Sequence, residues 1–376
     1  MMKYLTAGES HGEKISVIVD GVPSGVGLSE NDINFELKRR SSGPGRCSRQ
    51  DEESNSAKIV SGLTDGLTNG NPVCVEIENT ASVNEENNYV VRPGHGDLAG
   101  LMKHNFENFE SVAERTSARE TAARIVAGVI SKNLLASFGV EVYGYVSSIG
   151  SAKMKEDLTN MPGTLPDMTS IGISEVLCSD AKASQNMLKQ IEKAKNAGDS
   201  LGGAITLTCV GAVAGLGGYS QGYDRIDSKI AQAVMSVPSV KEICIGSADY
   251  VCEKLGSEAL DLIHKTETGI SQDTNYSGGI EAGMTNGMPV VVRAKVKPVP
   301  TIAKEMPAID LETGKEISWA SDRRSDVCVV PNVAVVCESE LAFVIANAYL
   351  EKFGSDCLED IILAVDSYKT RIGVSN

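Results

Sequence analysis

Two of the four histidines lie in short segments of small and polar residues, where an imidazole can reach a ligand. His11 is in GESHG and His95 is in RPGHGD. An imidazole changes its protonation near neutral pH, so it can give or take a proton during a reaction. By contrast, His264 in the apolar segment LDLIHK is expected in the core, and His104 in LMKHNF at the surface. His11 and His95 are therefore candidate acid or base groups.

Basic residues concentrate around the segment SSGPG, although the formal net charge of the chain is −15. They are Lys38, Arg39, Arg40, Arg46 and Arg49. Guanidinium groups bind phosphates and carboxylates through paired hydrogen bonds, and glycines let backbone N–H groups turn toward a ligand. The cluster indicates a site for a small polyanion. A solvated helix end followed by a flexible loop is the alternative.

Two further segments combine basic residues with a structural signal. Ser117 and Glu120 in SARE have the spacing of a capping box, and Arg115 and Arg119 flank them. Since the start of a helix binds anions, this segment is either an anion site or only a capped helix. In RRSDVCVVP, Arg323, Arg324 and Asp326 precede an apolar run. They are interpreted either as a phosphate-binding arginine beside a carboxylate base or as an ion pair at the edge of a sheet. Lys297 in VKPVPTI follows a predicted strand.

Composition narrows the class of protein. The chain has 376 residues, 41% of them hydrophobic, and a pI near 4.9, which argues against nucleic acid or an anionic membrane as partner. Its unbroken apolar runs are shorter than the roughly 20 residues of a membrane helix, and the first residues lack a signal-peptide pattern. Nine dispersed cysteines without a CxxC pair predict reduced core residues and no metal site. We expect a cytoplasmic protein.

Strand and helix patterns interleave, which predicts an α/β or α+β fold. We expect strands at KISVIVDG, PVCVEIEN, VEVYGYVSS, GGAITLTCVGAV, PVVVRAKV and DVCVVPNVAVV. We expect helices over Ser117–Phe138, Asp180–Asn196, Arg225–Ser236 and Glu338–Phe353. The segment GLTNGNPVCV recurs as GMTNGMPVVV, either by chance or because two similar halves form one domain. Without a low-complexity linker, a single domain over 1–376 is favoured, with halves of about 1–200 and 201–376.

Taken together, five motifs resemble the chorismate synthase family. GESHG, RPGHGD, ERTSARETAAR, TNGMPVVVRAKVKPVPTI and RRSDVCVVP occur in that family's order, and the resemblance extends from Gly8 beyond Glu338. It implies conversion of 5-enolpyruvylshikimate 3-phosphate to chorismate and phosphate by a 1,4-anti-elimination that depends on reduced FMN. It also implies a β-α-β sandwich of two pseudo-repeated halves and a homotetramer. The flavin would not be held by a Rossmann motif.

The resemblance also implies residue roles. His11 would assist proton movement, either toward the departing phosphate or through Asp326 to flavin N5. His95 would donate a proton to the flavin or stabilise its anionic reduced form, and Asp326 would help tune flavin N5 as a base. Substrate would be bound by Ser10, Arg40, Arg46, Arg119 and Arg324. FMN would be bound by Arg115, Thr116, Ser117, Pro238, Ser239, Ala282, Lys297, Pro298, Val299, Pro300, Thr301 and Arg324.

Two other functions fit parts of the pattern. The first is a flavin-dependent oxidoreductase, such as an NAD(P)H-dependent FMN reductase. NADPH is also a candidate reductant of FMN if the chain is a bifunctional enzyme that both forms chorismate and reduces its own flavin. The second is an anion-binding or RNA-binding module built on the basic loop at 38–49. That module would leave His11, His95 and Asp326 without a role, and salt-sensitive RNA binding would identify it.

Overall fold

The computed structural model describes residues 1–46, 56–79, 89–155, 167–266, 269–321 and 325–373. Two antiparallel sheets dominate it, with strand orders β1-β2-β6-β3 and β11-β16-β10-β8-β9. The first contains β1 (Lys3–Gly8), β2 (Lys14–Asp20), β3 (Ala57–Ser61) and β6 (Val73–Glu78). The second contains β8 (Glu141–Ile149), β9 (Ala152–Lys153), β10 (Gly203–Val210), β11 (Val240–Ile245) and β16 (Val290–Val296).

Smaller sheets lie beside these two. They are β4 (Leu63–Thr64) with β5 (Leu67–Thr68), β12 (Ile263–Thr266) with β13 (Gly269–Gln272), β14 (Ile280–Glu281) with β15 (Met284–Thr285), and β7 (Val90–Val91) with β17 (Met306–Asp310) and β18 (Lys315–Trp319). The helices are α1 (Glu30–Ser41), α2 (Asp97–His104), α3 (Glu110–Thr116), α4 (Thr121–Ala136), α5 (Met168–Ile173), α6 (Ala181–Asn196), α7 (Ile226–Met235), α8 (Ala248–Val251), α9 (Val330–Phe353) and α10 (Leu358–Arg371).

A helical layer lies between the two large sheets. Helices α1 and α4 pack on the first sheet, α7 and α9 pack on the second, and α4 contacts α9 along its length. The helix pair approaches closely, because a Cβ atom at Gly128 of α4 would collide with Ser339 of α9. The inward side chains of alternating strand residues, such as Val17, Val75 and Val292, are completely buried in one core. The predicted β-α-β sandwich is therefore confirmed.

Helix α9 shows where the strand prediction was wrong. DVCVVPNVAVV was predicted as a strand, but the helix already begins at Val330, with Pro331 in its first turn. Proline there loses no helical hydrogen bond, and a continuous apolar run has no period that separates strand from helix. The helix is long and apolar enough to cross a membrane, but 89% of its most apolar window is buried inside the protein, as in a core helix.

The two TNG segments form the same local structure. The Thr68 hydroxyl donates to the carbonyl of Pro23 (2.5 Å) and accepts the N–H of Val26 (2.9 Å). The Thr285 hydroxyl donates in the same way to the carbonyl of Val213 (2.7 Å). Each threonine ends a two-stranded hairpin and precedes a central sheet strand, β6 or β16. A repeated local structure thus underlies the repeated sequence, and the boundary near residue 200 stays a prediction.

Candidate active site

The loop between β1 and β2 places Ser10 and His11 against the end of α3. Gly8 begins this loop with φ = 113°, and a Cβ there would lie 2.5 Å from the carbonyl oxygen of Lys14, so only glycine fits. The backbone N–H of Ser10 donates to the carbonyl of Glu114 (3.2 Å). Ser10 is 4% exposed, so the loop is packed although it consists of small residues.

His11 is held by one carboxylate. Its Nδ1 lies 2.6 Å from Oε1 of Glu114, and its backbone N–H donates to Oε2 of the same residue (2.7 Å). The side chain is 19% exposed. Among the hydrogen bonds of the described residues, Nε2 of His11 has no partner, so this nitrogen is available to a ligand.

The start of α4 brings a second group of predicted residues to the same loop. The hydroxyls of Ser10 and Ser117 lie 2.8 Å apart. Arg40, at the end of α1, donates to the carbonyl of Ala118 (2.7 Å) and to the hydroxyl of Thr121 (2.9 Å). Arg119 donates to the carbonyl oxygen at position 78 (3.0 Å). Arg40 and Arg119 are each only 5% exposed. Two buried positive charges therefore lie near Ser10.

Ser117 caps the start of the helical segment, but the predicted capping box with Glu120 does not form. Ser117 accepts the N–H of Arg119 (3.3 Å) and precedes a short 3-10 turn, after which α4 begins at Thr121. Glu120 does not close the box, because its carboxylate binds the guanidinium of Arg124 at 3.0 Å. The Ser117 hydroxyl is therefore shared between the helix start and Ser10.

His95 has a carboxylate partner two residues along the chain, at the first residue of α2. Its Nδ1 lies 2.6 Å from Oδ1 of Asp97, which is completely buried. Arg92 binds both carboxylate oxygens of Asp97, each at 2.8 Å. Burial by itself raises the pKa of Asp97, but the hydrogen bonds from Arg92 and His95 outweigh it and hold that pKa well below its usual range. Asp97 is therefore a carboxylate at neutral pH.

The predicted flavin-binding segment after β16 lies against the His95 loop. The ammonium group of Lys297 donates to the carbonyl of Gly94 (2.9 Å). A Cβ atom at Gly94 would lie 3.2 Å from Pro300, and one at Gly96 would lie 3.2 Å from Thr116. The loop thus runs between the 297–301 segment, with Pro298 and Thr301, and the end of α3, where Arg115 donates to the carbonyl oxygen at position 8 (2.9 Å).

Ser239 and Val299 connect this segment to its neighbours. The N–H of Lys297 donates to the carbonyl of Ser239 (2.9 Å), directly after Pro238. The hydroxyl of Ser200 donates to the carbonyl of Val299 (2.6 Å). The first of these bonds places the connection between α7 and β11 beside the end of β16 from which the 297–301 segment leaves the second sheet.

Arg46 and Asp326 form an ion pair. Nη1 of Arg46 lies 2.9 Å from Oδ2 of Asp326, and the two side chains are 11% and 19% exposed. The N–H of Val327 donates to the carbonyl of Gly45 (2.7 Å), and the N–H of Leu201 donates to the carbonyl of Val327 (2.8 Å). The pair therefore lies next to the segment 200–201, which precedes β10 and contacts Val299 through Ser200. Arg49, Arg323 and Arg324 lie outside the described residues.

Some predicted residues lie elsewhere. Ala282 is in the exposed turn between β14 and β15, whereas Lys297 follows the far end of β16. β16, whose six steps of roughly 3.3 Å make about 20 Å, separates the two positions along the chain. The expectation for His264 is also wrong, because its side chain is 52% exposed on β12 and 2.7 Å from Asp273. His104 is exposed, as predicted.

Arg39 belongs to a buried charge network instead of the anion site. Its guanidinium binds Glu36 (2.7 Å) and Glu338 of α9 (2.9 Å), and Lys132 also binds Glu338. Burial alone raises the pKa of Glu338, but the charges of Lys132 and Arg39 lower it overall. This network ties α1 and α4 to α9, and Arg39 has a structural role.

Three residues of the site were missed from the sequence. Glu114 and Arg92 are the first residues of the quoted motifs ERTSARETAAR and RPGHGD, so their charge within each motif was an available signal. Asn79 at the end of β6 donates to the carbonyls of Ser10 (2.7 Å) and Gly12 (2.8 Å). Nothing in the local sequence distinguishes Asn79 from an ordinary loop residue.

The donor set suits a ligand that bears phosphate. Buried guanidinium groups, paired serine hydroxyls and the Lys297 ammonium group surround the loops of the two imidazoles. The close approach at Gly94 and Gly96 brings the loops together, as a shared cofactor cradle requires. Cations and neutral donors of this kind bind polyanions, and the imidazoles can move protons. Fold and site together define an α+β enzyme that acts on a small polyanionic molecule.

Comparisons with known proteins identify the family. The sequence model described as Chorismate synthase matches residues 2–350. The chain is 42% identical to the chorismate synthase of Bacillus velezensis, with 98% of each chain covered, and 38% identical to that of Mycobacterium avium, with 99% and 97% covered. A crystal structure of chorismate synthase superposes with a TM-score of 0.82 at 32% identity, covering 100% of this chain and 99% of that one. The chain belongs to the chorismate synthase family, and its function is chorismate synthesis.

Proposed function

We propose that this chain eliminates phosphate from 5-enolpyruvylshikimate 3-phosphate and forms chorismate in the presence of reduced FMN, as a carbon–oxygen lyase acting on phosphates. The observation behind the proposal is the joint position of Ser10, His11, Arg40 and Arg119 around the start of α4. The substrate has one phosphate and two carboxylates, so it needs several cations to bind and to stabilise the leaving group. Family membership favours this activity over an FMN reductase alone.

The arginines bind and orient the substrate. Arg40 and Arg119 are buried, and their backbone contacts hold the guanidinium groups in place before substrate arrives. Arg46 is held by Asp326. Ser10 adds a hydroxyl, and Arg324 is assigned to the same task. Pre-positioned charges cost little reorganisation during the reaction, which is why they stabilise the departing phosphate effectively.

The histidines handle protons at opposite parts of the site. As an imidazolium, His11 presents Nε2–H to the substrate phosphate and donates that proton as the phosphate leaves, which leaves the neutral ring with its proton on Nδ1 beside Glu114. His95, whose loop lies beside the 297–301 segment, would donate a proton to the flavin or stabilise its anionic reduced form, and Asp326 would help tune flavin N5 as a base. Reduced flavin, when bound, supplies electron density that promotes loss of the phosphate.

The residues for FMN are those that surround the His95 loop. Arg115, Thr116 and Ser117 lie on one side of it, and Ser239 and the segment from Lys297 to Thr301 lie on the other. Pro238 and Arg324 complete the set. Ala282, in the turn between β14 and β15 that precedes β16, is the remaining proposed FMN contact.

The remaining features of the proposal concern the cellular form. The chain is a single domain of two related halves that assembles as a homotetramer in the cytoplasm. A net charge of −15 supports a protein that binds neither nucleic acid nor membrane. NADPH is the proposed reductant of the flavin, supplied to this chain or to a separate reductase.

The test is release of phosphate and chorismate from the substrate under anaerobic conditions. Chemically reduced FMN should give both products in equal amounts, and oxidised FMN should give none. Product formation with oxidised FMN, or no product from folded protein that binds FMN, would contradict the proposal. Adding NADPH with oxidised FMN then tests the reductase activity separately.

A further inference from the structure

Glu114 contacts the His11 loop more extensively than helix packing requires. It accepts three hydrogen bonds from two consecutive residues: its carbonyl accepts the N–H of Ser10 (3.2 Å), Oε2 accepts the N–H of His11 (2.7 Å), and Oε1 lies 2.6 Å from Nδ1 of His11. Both carboxylate oxygens are therefore used by one residue. The Glu114 side chain is only 12% exposed, so water competes weakly for these bonds.

Asn79 restrains the same loop from the opposite side. Its side-chain amide donates to the carbonyl of Ser10 (2.7 Å) and to the carbonyl of Gly12 (2.8 Å), the two residues that flank His11. The side chain is anchored because Asn79 is 8% exposed and its own N–H donates to the carbonyl of Glu13 (2.9 Å). The loop backbone is thus fixed on both sides of the histidine.

A carboxylate at Nδ1 determines what the imidazole can do. In neutral imidazole one ring nitrogen has the proton and the other is an acceptor. An ionised carboxylate only accepts hydrogen bonds, so it selects the form with the proton on Nδ1 and leaves Nε2 facing outward. It also fixes the orientation of the ring. Misplacement of a reacting group by about 1 Å costs about 100-fold in rate.

We propose that Glu114 is a positioning residue that fixes the tautomer and orientation of His11, with Asn79 holding the backbone on which it acts. The inference rests on the proposed role of His11 and adds the residue that makes this role possible in a glycine-rich loop. Glu114 itself touches neither substrate nor cofactor. Its carboxylate acts on the reaction only through Nδ1.

The kinetic test uses Glu114→Gln and Glu114→Ala, with Glu110→Gln as the matched control. Glu110 is exposed in the first turn of the same helix, so its substitution changes the same charge without contacting His11. We expect kcat to fall about 10- to 100-fold for both Glu114 variants with KM nearly constant, and Glu110→Gln to match wild type. A rise in KM with unchanged kcat would overturn the proposal, because it would show that Glu114 only shapes the binding loop.

A double-mutant cycle separates positioning from general damage. If Glu114 acts through His11, then adding Glu114→Ala to His11→Ala should lower kcat no further. An additional loss equal to that of the single Glu114→Ala variant would contradict the proposal. If His11→Ala turns over normally, the proposed role of His11 is wrong. If His11→Ala is impaired but Glu114→Ala turns over normally, only the proposed role of Glu114 is wrong.

Nitrogen NMR of histidine-labelled protein gives a readout that does not depend on activity. His11→Ala identifies the signals of His11 among the four histidines. At alkaline pH, wild type should show the proton of His11 on Nδ1, and Glu114→Ala should show a mixture of both tautomers. An unchanged tautomer in Glu114→Ala would overturn the proposal even if turnover fell.

Discussion

The two imidazoles of the site have the same kind of partner, obtained in different ways. In each, Nδ1 lies 2.6 Å from a carboxylate oxygen. The partner of His95 is Asp97, two residues along the chain, and Arg92 of the same loop binds that carboxylate. The partner of His11 is Glu114, which is 103 residues away on another element. The His95 pair is thus a local motif, and the His11 pair exists only after the chain folds.

This difference has physical consequences. A local pair loses little chain entropy on forming, since its members are already close in the unfolded chain. Asp97 is completely buried and bound by a guanidinium, so the loop depends on its charge for stability. Glu114 is paired with no arginine in the described residues, and its bonds serve the position of His11. One carboxylate therefore mainly stabilises its loop, and the other mainly orients a reactive group.

The largest effects should come from removing either imidazole. His11→Ala and His95→Ala should each lower kcat by about 10² to 10⁴, the usual contribution of a general acid or base, while the substrate still binds. Steady-state kinetics with reduced FMN measure this, and exposed His104→Ala is the control. Near-wild-type turnover in both variants would contradict the catalytic roles of His11 and His95.

Substitution of Asp97 should affect stability more than substitution of Glu114. Asp97→Asn removes the completely buried carboxylate charge that Arg92 and His95 bind, which should cost about 3 kcal/mol of unfolding free energy at neutral pH. Urea unfolding of both variants measures this. A smaller loss for Asp97→Asn than for Glu114→Gln would reverse the comparison.

The pH dependence of that loss checks its electrostatic origin. Because the pKa of Asp97 is lowered in the folded protein, its stabilising effect is complete above the unfolded value of about 3.9 and disappears as the pH falls below it. The stability difference between wild type and Asp97→Asn should therefore be constant near neutral pH and shrink in acid. A difference that grows in acid would have the wrong sign.

A cation outside both pairs should change binding instead of proton transfer. Arg46→Ala should raise KM about 10-fold, as expected for one lost hydrogen bond from a charged donor, and change kcat less. Substrate titrations with reduced FMN separate the two constants. Unchanged KM and kcat would remove Arg46 from the site.

The smallest effect is expected at the partner of Arg46. Asp326→Asn keeps the side-chain shape but removes its charge, so turnover should fall about 10-fold while FMN remains bound. Activity and flavin fluorescence titration test the two parts. A variant that binds FMN and turns over normally would contradict the assigned role of Asp326.

Motifs within a few residues of each other were predictable from the sequence. Neighbouring residues determine the His95 loop, the basic end of α1 and the strands in which alternate residues are buried. The order of the five motifs was enough to predict the family and the β-α-β fold. Local patterns failed where two structures share one pattern. The apolar run before Glu338 suits strand or helix, and Ser117 with Glu120 suits a capping box that Arg124 instead disrupts.

The sequence by itself determined which chemical groups are present and which short loops hold them, because bond geometry and glycine preferences act over a few residues. Only the tertiary structure decided which groups meet. Glu114 and Asn79 reach His11 because α3 and β6 end beside the β1–β2 loop, and Arg39 turns to Glu338 because α9 is buried between the sheets. Such contacts follow from packing of the whole core, which no local pattern of residues specifies.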